Sequence, residues 1–257
     1  MADTSAHQGL AVSACIVTRD EEDRLPDCLA SLGWCDEILV VDSHSSDRTR
    51  EVAAEWGARV IERDWPGHVA QKEFAVREAR HDWVFCIDAD ERVSKELAAE
   101  IEARRSKGLG DRAGFSVPRV SSYLGRWIRH GSWYPDRKLR LFDRRRGGWG
   151  GRDPHDRVEV EGPVEALHGE LLHHPYRSLE DHLATIDRYT AITARELHRD
   201  GKRAHLFDLV VRPPLRFLTF YVLRLGFLDG WRGLLLAYLA AHYVRLRYWK
   251  LWLLERG

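Results

Sequence analysis

Two aspartates one residue apart end an apolar run in the first third of the chain. The stretch VFCIDADERV, residues 84–93, places Asp88 and Asp90 directly behind strand-like apolar residues. An extended strand projects residues i and i+2 to the same side, so both carboxylates can face one point. Crowded carboxylates are costly unless a positive charge lies between them. Because paired carboxylates favour a hard divalent cation, the pattern predicts Mg²⁺ or Mn²⁺ together with a phosphate-bearing ligand.

Two more acids, Asp20 and Asp42, follow strand-like runs earlier in the chain. In parallel sheets, ligands bind beyond the carboxyl ends of the strands. We expect these two carboxylates to accept hydrogen bonds from a base or a ribose. The alternative, in which each acid caps the next helix, is equally good for Asp42 alone. It explains less well why three strands all end in acids.

The elements that must position these acids alternate between strand and helix. Strand-like runs occur at 10–18, 37–41, 58–62 and 83–87, and helical patterns at 25–32, 46–56 and 69–80. Ser46 and Ser94 are expected N-caps. This alternation predicts an α/β fold with a mainly parallel sheet flanked by helices.

Later segments follow other patterns. The Gly-, Trp- and Arg-rich residues 108–152 are typical of loops, residues 169–176 favour a return to the sheet, and residues 179–198 favour a helix. We expect residues 186–257 to form an α-helical appendage rich in basic and aromatic residues.

Phosphate-binding glycine motifs are absent. The sequence TRDEEDR follows the first strand where a dinucleotide fold would carry G-x-G-x-x-G, and no G-x-x-x-x-G-K-[ST] occurs. This absence disfavours dehydrogenases and P-loop enzymes. A phosphate ligand would have to be neutralised by a metal and by cationic side chains.

The amino-acid composition indicates which partners and which cellular compartment to expect. The 257 residues contain 40 Lys plus Arg and 40 Asp plus Glu, so net charge predicts no nucleic-acid partner. The four cysteines form no C-x-x-C pair, which favours reduced, buried thiols in a cytosolic protein. The N-terminal residues lack a basic region followed by an apolar core, so we expect no secretory signal.

The C-terminal residues have a different charge balance. Residues 212–257 contain eight Arg or Lys and two Asp or Glu, mixed with leucines and aromatic residues. This pattern favours peripheral attachment to an anionic membrane surface at the inner face of the cell membrane. The alternatives are a helical appendage packed on the catalytic domain and a contact between subunits of a homo-oligomer.

Several segments together resemble family 2 glycosyltransferases with the GT-A fold. The resemblance lies in CIVTRDEEDRLPDCLASL, ILVVDSHSSDRT, DWPGHVAQKEFA and WVFCIDADE. It continues through YLGRWIRHGSWYPDRKLRLF, HDRVEVEG, LLHHPYRSL and LGFLDGWRGL. These motifs agree in order and spacing over most of residues 10–245. They are most similar to the branch that glucosylates the heptose inner core of lipopolysaccharide.

The resemblance assigns roles in donor binding. Asp20 and Asp42 match acids that contact the nucleotide. Asp88 and Asp90 match the D-x-D motif that meets the ribose, the diphosphate and the metal. Two further sets match donor-site positions: the polar pair Gln71 and Lys72, and the W-Y-P-D segment that lines the sugar site, which contains Trp133 and Asp136.

The resemblance also indicates a catalytic base. Pro154-His155-Asp156 stands where V-H-E is usual in this branch, so Asp156 is the first candidate. Asp136 is the second, because it lies in an aromatic, loop-rich stretch where a sugar could stack. Asp153 and Glu159 remain further candidates. His173 follows an apolar run and could complete the metal site, although a hydrogen-bonded histidine at a strand end explains it equally well.

A basic segment lies near the expected acceptor side, and it fits either a phosphorylated acceptor or a solvated loop. It contains Arg137, Lys138, Arg140, Arg144, Arg145 and Arg146.

The sequence therefore predicts an inverting, metal-dependent glycosyltransferase with a catalytic domain at 10–185. The expected donor is UDP-glucose and the expected acceptor a heptose of the lipopolysaccharide inner core. One alternative is transfer to a polyprenyl-linked or polysaccharide acceptor. Another is a non-catalytic nucleotide-sugar-binding scaffold at the membrane.

Overall fold

The computed structural model describes residues 10–152 and 155–256 of the chain. Two compact units form within them. The first contains the residues up to Arg119 together with Asp136–His173. The second contains Val120–Pro135 together with the residues from His174 onward. The predicted domains, 10–185 and 186–257, divide the chain by function, and that division stays a prediction.

Four parallel strands form one half of the main sheet, in the spatial order β3-β2-β1-β4. They are β1 Val12–Thr18, β2 Glu37–Asp42, β3 Arg59–Glu62 and β4 Trp83–Asp88. The central strands are short apolar runs buried on both faces, because helices cover both sides of a parallel sheet. Each strand lies within two residues of its predicted bounds, and the α/β fold class is confirmed.

Helices cover this half of the sheet. They are α1 Leu25–Ala30, α2 Thr49–Glu55, α3 His68–Glu78 and α4 Lys95–Ser106. The Ser94 side chain caps α4 as predicted, accepting the Leu97 N–H at 3.1 Å. The predicted cap of α2 is wrong: its N-cap is Arg48, and the Ser46 N–H donates to Asp20 instead. Because that bond holds the preceding loop, α2 begins three residues later than predicted.

Further strands extend the sheet beyond β4, in the order β8-β6-β12-β5. The remaining strands are β5 Glu91–Val93, β6 Gly114–Tyr123, β7 Arg126–Ile128, β8 Asp136–Asp143, β9 Gly147–Arg152, β10 His155–Val160, β11 Val164–Ala166 and β12 Leu171–His173. The predicted loops at 108–152 are therefore largely strands. The predicted return of 169–176 to the sheet is confirmed by β12, which pairs antiparallel with β5.

Strands β9 and β10 form a separate antiparallel ribbon. Two positions of β9 require glycine, because neighbouring groups occupy the space that a side chain would need. A Cβ on Gly147 would overlap the Glu159 carbonyl oxygen, and one on Gly148 would meet the Glu73 carboxylate at 2.5 Å. The Glu73 carboxylate in turn accepts the Trp149 N–H at 2.9 Å. The ribbon is thus held against α3, which carries two of the predicted site residues.

The second unit is mostly helical, as predicted for the C-terminal region. Its helices are α5 Leu179–Arg199, α6 Leu206–Val210, α7 Arg212–Leu218 and α8 Trp231–Leu254, with a π-helical turn at Thr219–Leu223 and a 3₁₀ turn at Gly226–Asp229. Its core packs around Tyr123, Ile186, Phe220 and Leu236. No helix among the described residues combines the length and the apolar character needed to cross a membrane.

The four cysteines carry free thiols, and Cys15, Cys28 and Cys86 are buried. Burial raises the pKa of the Cys28 thiol well above its ordinary value. The prediction of reduced, buried thiols is confirmed for these three, and Cys35 is half-buried.

Gly169 offers a test of the packing beneath β12. An added Cβ there would overlap the backbone N and Cα of Leu97, at the start of α4. Gly169→Ala should therefore lower the free energy of unfolding by about 1–3 kcal/mol, because a rigid backbone must move. Urea denaturation measures this change. Gly33→Ala is the matched control, since a Cβ at Gly33 meets nothing within 4 Å. Equal stability of the two variants would contradict the packing argument.

Candidate active site

The carboxyl ends of the parallel strands lie level with one another. Thr18 pairs in register with Asp42, and Val17 pairs with Asp88. The sequence predicted that acids from three strands would meet at this edge of the sheet. The register brings two of them, Asp42 and Asp88, to the same edge, on either side of β1.

Asp42 is fully buried and holds the loop behind β2. Its carboxylate accepts hydrogen bonds from the Thr18 hydroxyl at 3.0 Å and from the Ser45 N–H at 2.8 Å. The Ser45 hydroxyl donates to it as well, at 2.5 Å. Asp42 thus shapes the loop on which a nucleotide would rest, and its contact with the nucleotide stays a prediction.

Asp20 lies on the neighbouring loop and is half-exposed. Its backbone has a left-handed φ of 54°, which is uncommon outside glycine. The carboxylate accepts the Ser46 N–H at 2.7 Å and the Ser46 hydroxyl at 3.0 Å, while the Asp20 N–H donates to the Ser45 hydroxyl. The two loops therefore brace each other, and Asp20 keeps the accessible surface that a ligand contact requires.

Gln71 is buried on α3 and reaches the same loop region. Its amide donates to the Ser43 hydroxyl at 3.1 Å, and its carbonyl oxygen accepts from Arg63 at 3.4 Å. The structure therefore gives Gln71 a role in positioning the loop behind β2.

Lys72, the next residue on α3, bridges two carboxylates. Its Nζ lies 3.0 Å from Asp88 Oδ1 and 2.8 Å from Asp156 Oδ2. The ammonium also lies 4.5 Å from the centre of the Trp149 ring, a cation–π contact. Burial opposes the charge, but Asp88 and Asp156 outweigh it and raise the pKa of Lys72. Lys72 therefore joins a residue of the D-x-D motif to the first candidate base.

Asp88 also meets a buried arginine. Arg140 on β8 donates from Nη2 to Asp88 at 2.8 Å and to both oxygens of Glu91 at 2.7 Å. Burial alone would raise the pKa of Asp88, but Lys72 and Arg140 hold it well below its usual range. Asp88 is therefore ionised across the physiological pH range.

Glu91 is fully buried and lies at the centre of this network. It accepts the Asp88 N–H at 3.1 Å, which fixes the turn of the D-x-D motif. Arg119 on β6 donates to it at 2.9 Å. Glu91 therefore accepts hydrogen bonds from two guanidinium groups and one backbone amide. These bonds compensate the free-energy cost of burying its charge.

Asp136, the second candidate base, is paired with two cations. Arg119 donates to its Oδ2 from Nε at 3.0 Å and from Nη2 at 2.6 Å, and Lys138 Nζ lies 3.0 Å from Oδ1. Burial acts to raise its pKa, but Arg119 and Lys138 lower it overall. A carboxylate held this way is a weak proton acceptor.

Asp90 and His173 form a separate pair. His173 Nε2 lies 3.3 Å from Asp90 Oδ2, because β12 pairs with β5 immediately after the D-x-D turn. Arg24 approaches the same carboxylate oxygen at 3.8 Å. The two side chains that the sequence interpretation assigned to the metal site are therefore neighbours, and their metal binding stays a prediction.

Asp90 and His173 offer a divalent cation one carboxylate and one imidazole. Within residues 10–152 and 155–256, no cluster of three or more His, Cys, Asp or Glu side chains is arranged to hold a metal. An adjacent carboxylate and imidazole fit an open site whose other ligands come from a substrate. Asp88 fits the role of ligand less well, because Lys72 and Arg140 already engage its oxygens.

Asp156 lies on β10 and is largely buried. It pairs across the ribbon with Gly151, so β9 presents no side chain opposite it. Asp153, a further candidate base, and Pro154, the first residue of the predicted base motif, lie outside the described residues. Glu159, another candidate, is an exposed residue that pairs with Arg157 at 2.7 Å.

Trp133 belongs to the second unit, where it packs among aromatic rings. Its ring centre lies 5.5 Å from Tyr123 and 6.1 Å from Tyr176. The His182 ring stacks on Tyr176 at 4.0 Å, and burial lowers the pKa of His182 to about 4. The predicted contact of Trp133 with a donor sugar stays a prediction.

Arginines of the basic segment bind backbone carbonyl oxygens and a neighbouring carboxylate, a structural role that neither sequence interpretation predicted. Arg144 donates to the carbonyl oxygens of Val76, Arg77 and Ala79, at the end of α3. Arg145 pairs with Asp143, and Arg146 donates to the Asp111 carbonyl oxygen.

The sequence interpretation missed Arg119, left Glu91 out of the site, and placed Arg140 only in the basic segment near the expected acceptor side. The local pattern gave no signal for Arg140, because an alternating strand places Leu139 and Leu141 on one face and Arg140 on the other, as in any half-exposed strand.

Comparison with known proteins identifies the family. The model of glycosyl transferase family 2 matches residues 13–158, more than half of the chain. A lipopolysaccharide core biosynthesis glycosyltransferase, LpsC of Rhizobium meliloti, is 30% identical over 246 residues, covering 90% of this chain and 91% of the relative. An uncharacterized glycosyltransferase of Rickettsia typhi is 30% identical over 86% of this chain and 80% of its own length.

A solved structure supports the fold. The mannosyltransferase PcManGT from Pyrobaculum calidifontis, solved with GDP-Man and Mn²⁺, superposes with a TM-score of 0.54. The match covers 96% of this chain and 88% of that one, at 14% sequence identity, so it speaks for the fold alone. Together with the family match and the 30% identical relative, it shows that the chain is a GT-A-type glycosyltransferase and belongs to glycosyltransferase family 2.

Proposed function

We propose that the enzyme transfers glucose from UDP-glucose to a heptose of the lipopolysaccharide inner core, with inversion at the anomeric carbon. The observation that carries the proposal is the Asp88–Lys72–Asp156 bridge. It brings a donor-binding acid and a candidate base to the same ammonium, at 3.0 and 2.8 Å. The choice of acceptor rests on the lipopolysaccharide core relative, which aligns over nine-tenths of the chain.

Asp156 acts as the base in this mechanism. It removes the proton from the acceptor hydroxyl as that oxygen attacks the anomeric carbon, and the bond to the donor diphosphate breaks on the opposite face. A single displacement inverts the configuration, so no second carboxylate is needed to form a covalent sugar intermediate. The proton ends on Asp156, and the nucleoside diphosphate leaves with the bonding electron pair.

Lys72 links donor binding to the availability of the base. Without donor, its ammonium is shared between Asp88 and Asp156, and its raised pKa keeps it charged. A diphosphate entering beside Asp88 attracts the same ammonium. Asp156 then loses part of its ion pair, so its carboxylate becomes available to an acceptor hydroxyl.

Asp90 and His173 would hold a divalent cation together with diphosphate oxygens. Such a cation, Mg²⁺ or Mn²⁺, would stabilise the negative charge that develops on the leaving diphosphate. Asp88 would remain beside it as an ionised acid fixed by Lys72 and Arg140. In this arrangement, Asp90 would bind the metal, whereas Asp88 positions Lys72.

The place of action follows from the acceptor. A lipopolysaccharide core precursor is anchored in a membrane, and nucleotide sugars are cytoplasmic, so we propose a peripheral enzyme at the cytoplasmic face. The described helices do not span a bilayer, so attachment would be through a surface.

The base assignment can be tested with paired amide substitutions. Asp156→Asn should lower kcat for transfer about 10²–10⁴-fold, because a positioned base contributes on that scale. Asp136→Asn should have a much smaller effect, because Arg119 and Lys138 already neutralise that carboxylate. Kinetics with UDP-glucose and an inner-core acceptor measure both. Titration with UDP should show that Asp156→Asn binds the nucleotide at least as tightly as wild type, because the variant no longer pairs with the Lys72 ammonium. A larger loss in Asp136→Asn would reverse the assignment.

The metal role can be tested without any acceptor. The wild-type enzyme should slowly release UDP from UDP-glucose with Mn²⁺, and chelation should stop this release. Asp90→Ala should abolish it, because the variant loses the carboxylate beside His173. Asp111→Ala is the matched control, since Asp111 is an exposed aspartate of the same unit. Equal release by Asp90→Ala and the control would remove Asp90 from the metal role.

The donor and acceptor need a direct assay. A panel of nucleotide sugars should be tested against truncated core oligosaccharides, with the product linkage determined by NMR. We expect UDP-glucose and heptose-containing acceptors to give the product. Equal transfer to acceptors without heptose would overturn the acceptor assignment and leave the family assignment standing.

A further inference from the structure

The second unit contains a run of exposed apolar residues from Leu206 to Trp231, called here the exposed apolar segment. Its 26 residues hold twelve of the twenty-two large apolar side chains that are exposed in the described chain. Leu206 and Leu223 are each 75% exposed, and Trp231 is 57% exposed. Single exposed apolar residues are ordinary, but a concentration of this kind marks an interaction surface.

The segment is folded, so its exposure is not that of an unstructured tail. α6 packs on α7, α7 on the π-helical turn, and the 3₁₀ turn on α8. The residues that face inward are buried, among them Pro213, Phe220 and Gly226. A Cβ on Gly233 of α8 would overlap the Gly226 carbonyl oxygen, which shows how closely the turn and the helix approach. The outward apolar side chains are therefore presented by a packed scaffold.

The exposed charge of this segment is entirely positive. Its two acids, Asp208 and Asp229, are 5% and 3% exposed. Asp208 pairs with Arg212 and accepts the His205 N–H, while Asp229 accepts the His130 N–H at 2.9 Å. No carboxylate of the segment therefore faces outward.

Three arginines next to these apolar residues have no acidic partner. Among the described residues, the guanidinium groups of Arg216, Arg224 and Arg247 form no ion pair and no side-chain hydrogen bond. Arg247 Nε is buried without a partner, and its guanidinium lies 4.8 Å from the Tyr248 ring centre. Burial and the charges of Arg224 and Arg247 lower the pKa of Arg216. Mutual repulsion of this kind is relieved by an anion.

We propose that the exposed apolar segment docks on the anionic leaflet of a lipid bilayer, with Arg216, Arg224 and Arg247 binding lipid phosphate. Apolar side chains would enter the boundary between headgroups and acyl chains, while the guanidinium groups remain at the phosphates. A second copy of this chain is a poorer occupant, because a symmetric contact would bring the same unpaired arginines together.

The inference rests on the proposed function, since it gives a membrane-anchored acceptor a docking surface. It refines the attachment expected from residues 212–257 by beginning at α6 and naming the side chains that insert. It can be tested with no donor or acceptor present, so vesicle binding and sugar transfer can fail independently.

The test is flotation of the full chain with vesicles of phosphatidylcholine, with or without phosphatidylglycerol. Wild type should bind the anionic vesicles at least about tenfold better, and added salt should weaken that binding. The double variant Leu206→Ser, Leu223→Ser should reduce binding at least about tenfold. Arg216→Gln, Arg224→Gln should reduce it about 30-fold, as expected for two basic side chains near an anionic surface.

Matched controls separate this surface from general effects. Leu10→Ser, Leu183→Ser removes two exposed leucines elsewhere, and Arg48→Gln, Arg157→Gln removes two exposed arginines of the first unit. Both controls should bind as wild type does, and circular dichroism with thermal unfolding should show that every variant is folded. Equal vesicle binding by variants and controls would overturn the proposal. A wild-type dimer that the leucine variant dissociates, without vesicle binding, would show a contact between copies instead.

Discussion

A carboxylate with no exposed surface, Glu91, organises the residues around the D-x-D motif. It lies between two guanidinium groups and accepts the backbone N–H of Asp88. Removing one partner of a buried ion pair typically costs about 3–5 kcal/mol, because the remaining charge is left without compensation. Through these contacts, Glu91 connects the turn after β4 to the antiparallel strands β6 and β8. The position of Asp88 depends on it.

The same arrangement gives the two aspartates of the D-x-D motif different partners. Asp88 is held by Lys72 and Arg140, whereas Asp90 turns toward His173. One acid is therefore fixed in an electrostatic network, and the other lies beside an imidazole. The alternation of side chains on an extended strand predicts that both face one point. The tight turn between β4 and β5 gives them different neighbours.

Local pattern was enough to predict the parallel half of the fold. The apolar runs of β1 to β4 and the Ser94 cap depend on residues close in sequence, so propensity and periodicity reveal them. The same holds for the positions of the acids at the strand ends. Loop geometry was less accessible: the start of α2 depends on a bond between Ser46 and Asp20, 26 residues apart.

The network behind the acids could not be predicted, because its bonds join distant parts of the chain. Arg140 lies 49 residues from Glu91, and Arg119 lies 28 residues from it. Lys72 and Asp156 are 84 residues apart. A single sequence carries no record of such pairings. The glycines and arginines of 108–152 also concealed strands, since these arginines serve as buried or bridging groups inside a sheet.

The Lys72 bridge has a consequence for the end of the catalytic cycle. In the proposed mechanism, the departing nucleoside diphosphate must give up its contact with the Lys72 ammonium. Asp88 and Asp156 are already positioned to take that ammonium back, at the 3.0 and 2.8 Å separations of the donor-free chain. The two carboxylates therefore compete directly with the product. In that mechanism, the bridge lowers the affinity for the departing nucleoside diphosphate and favours product release over product inhibition.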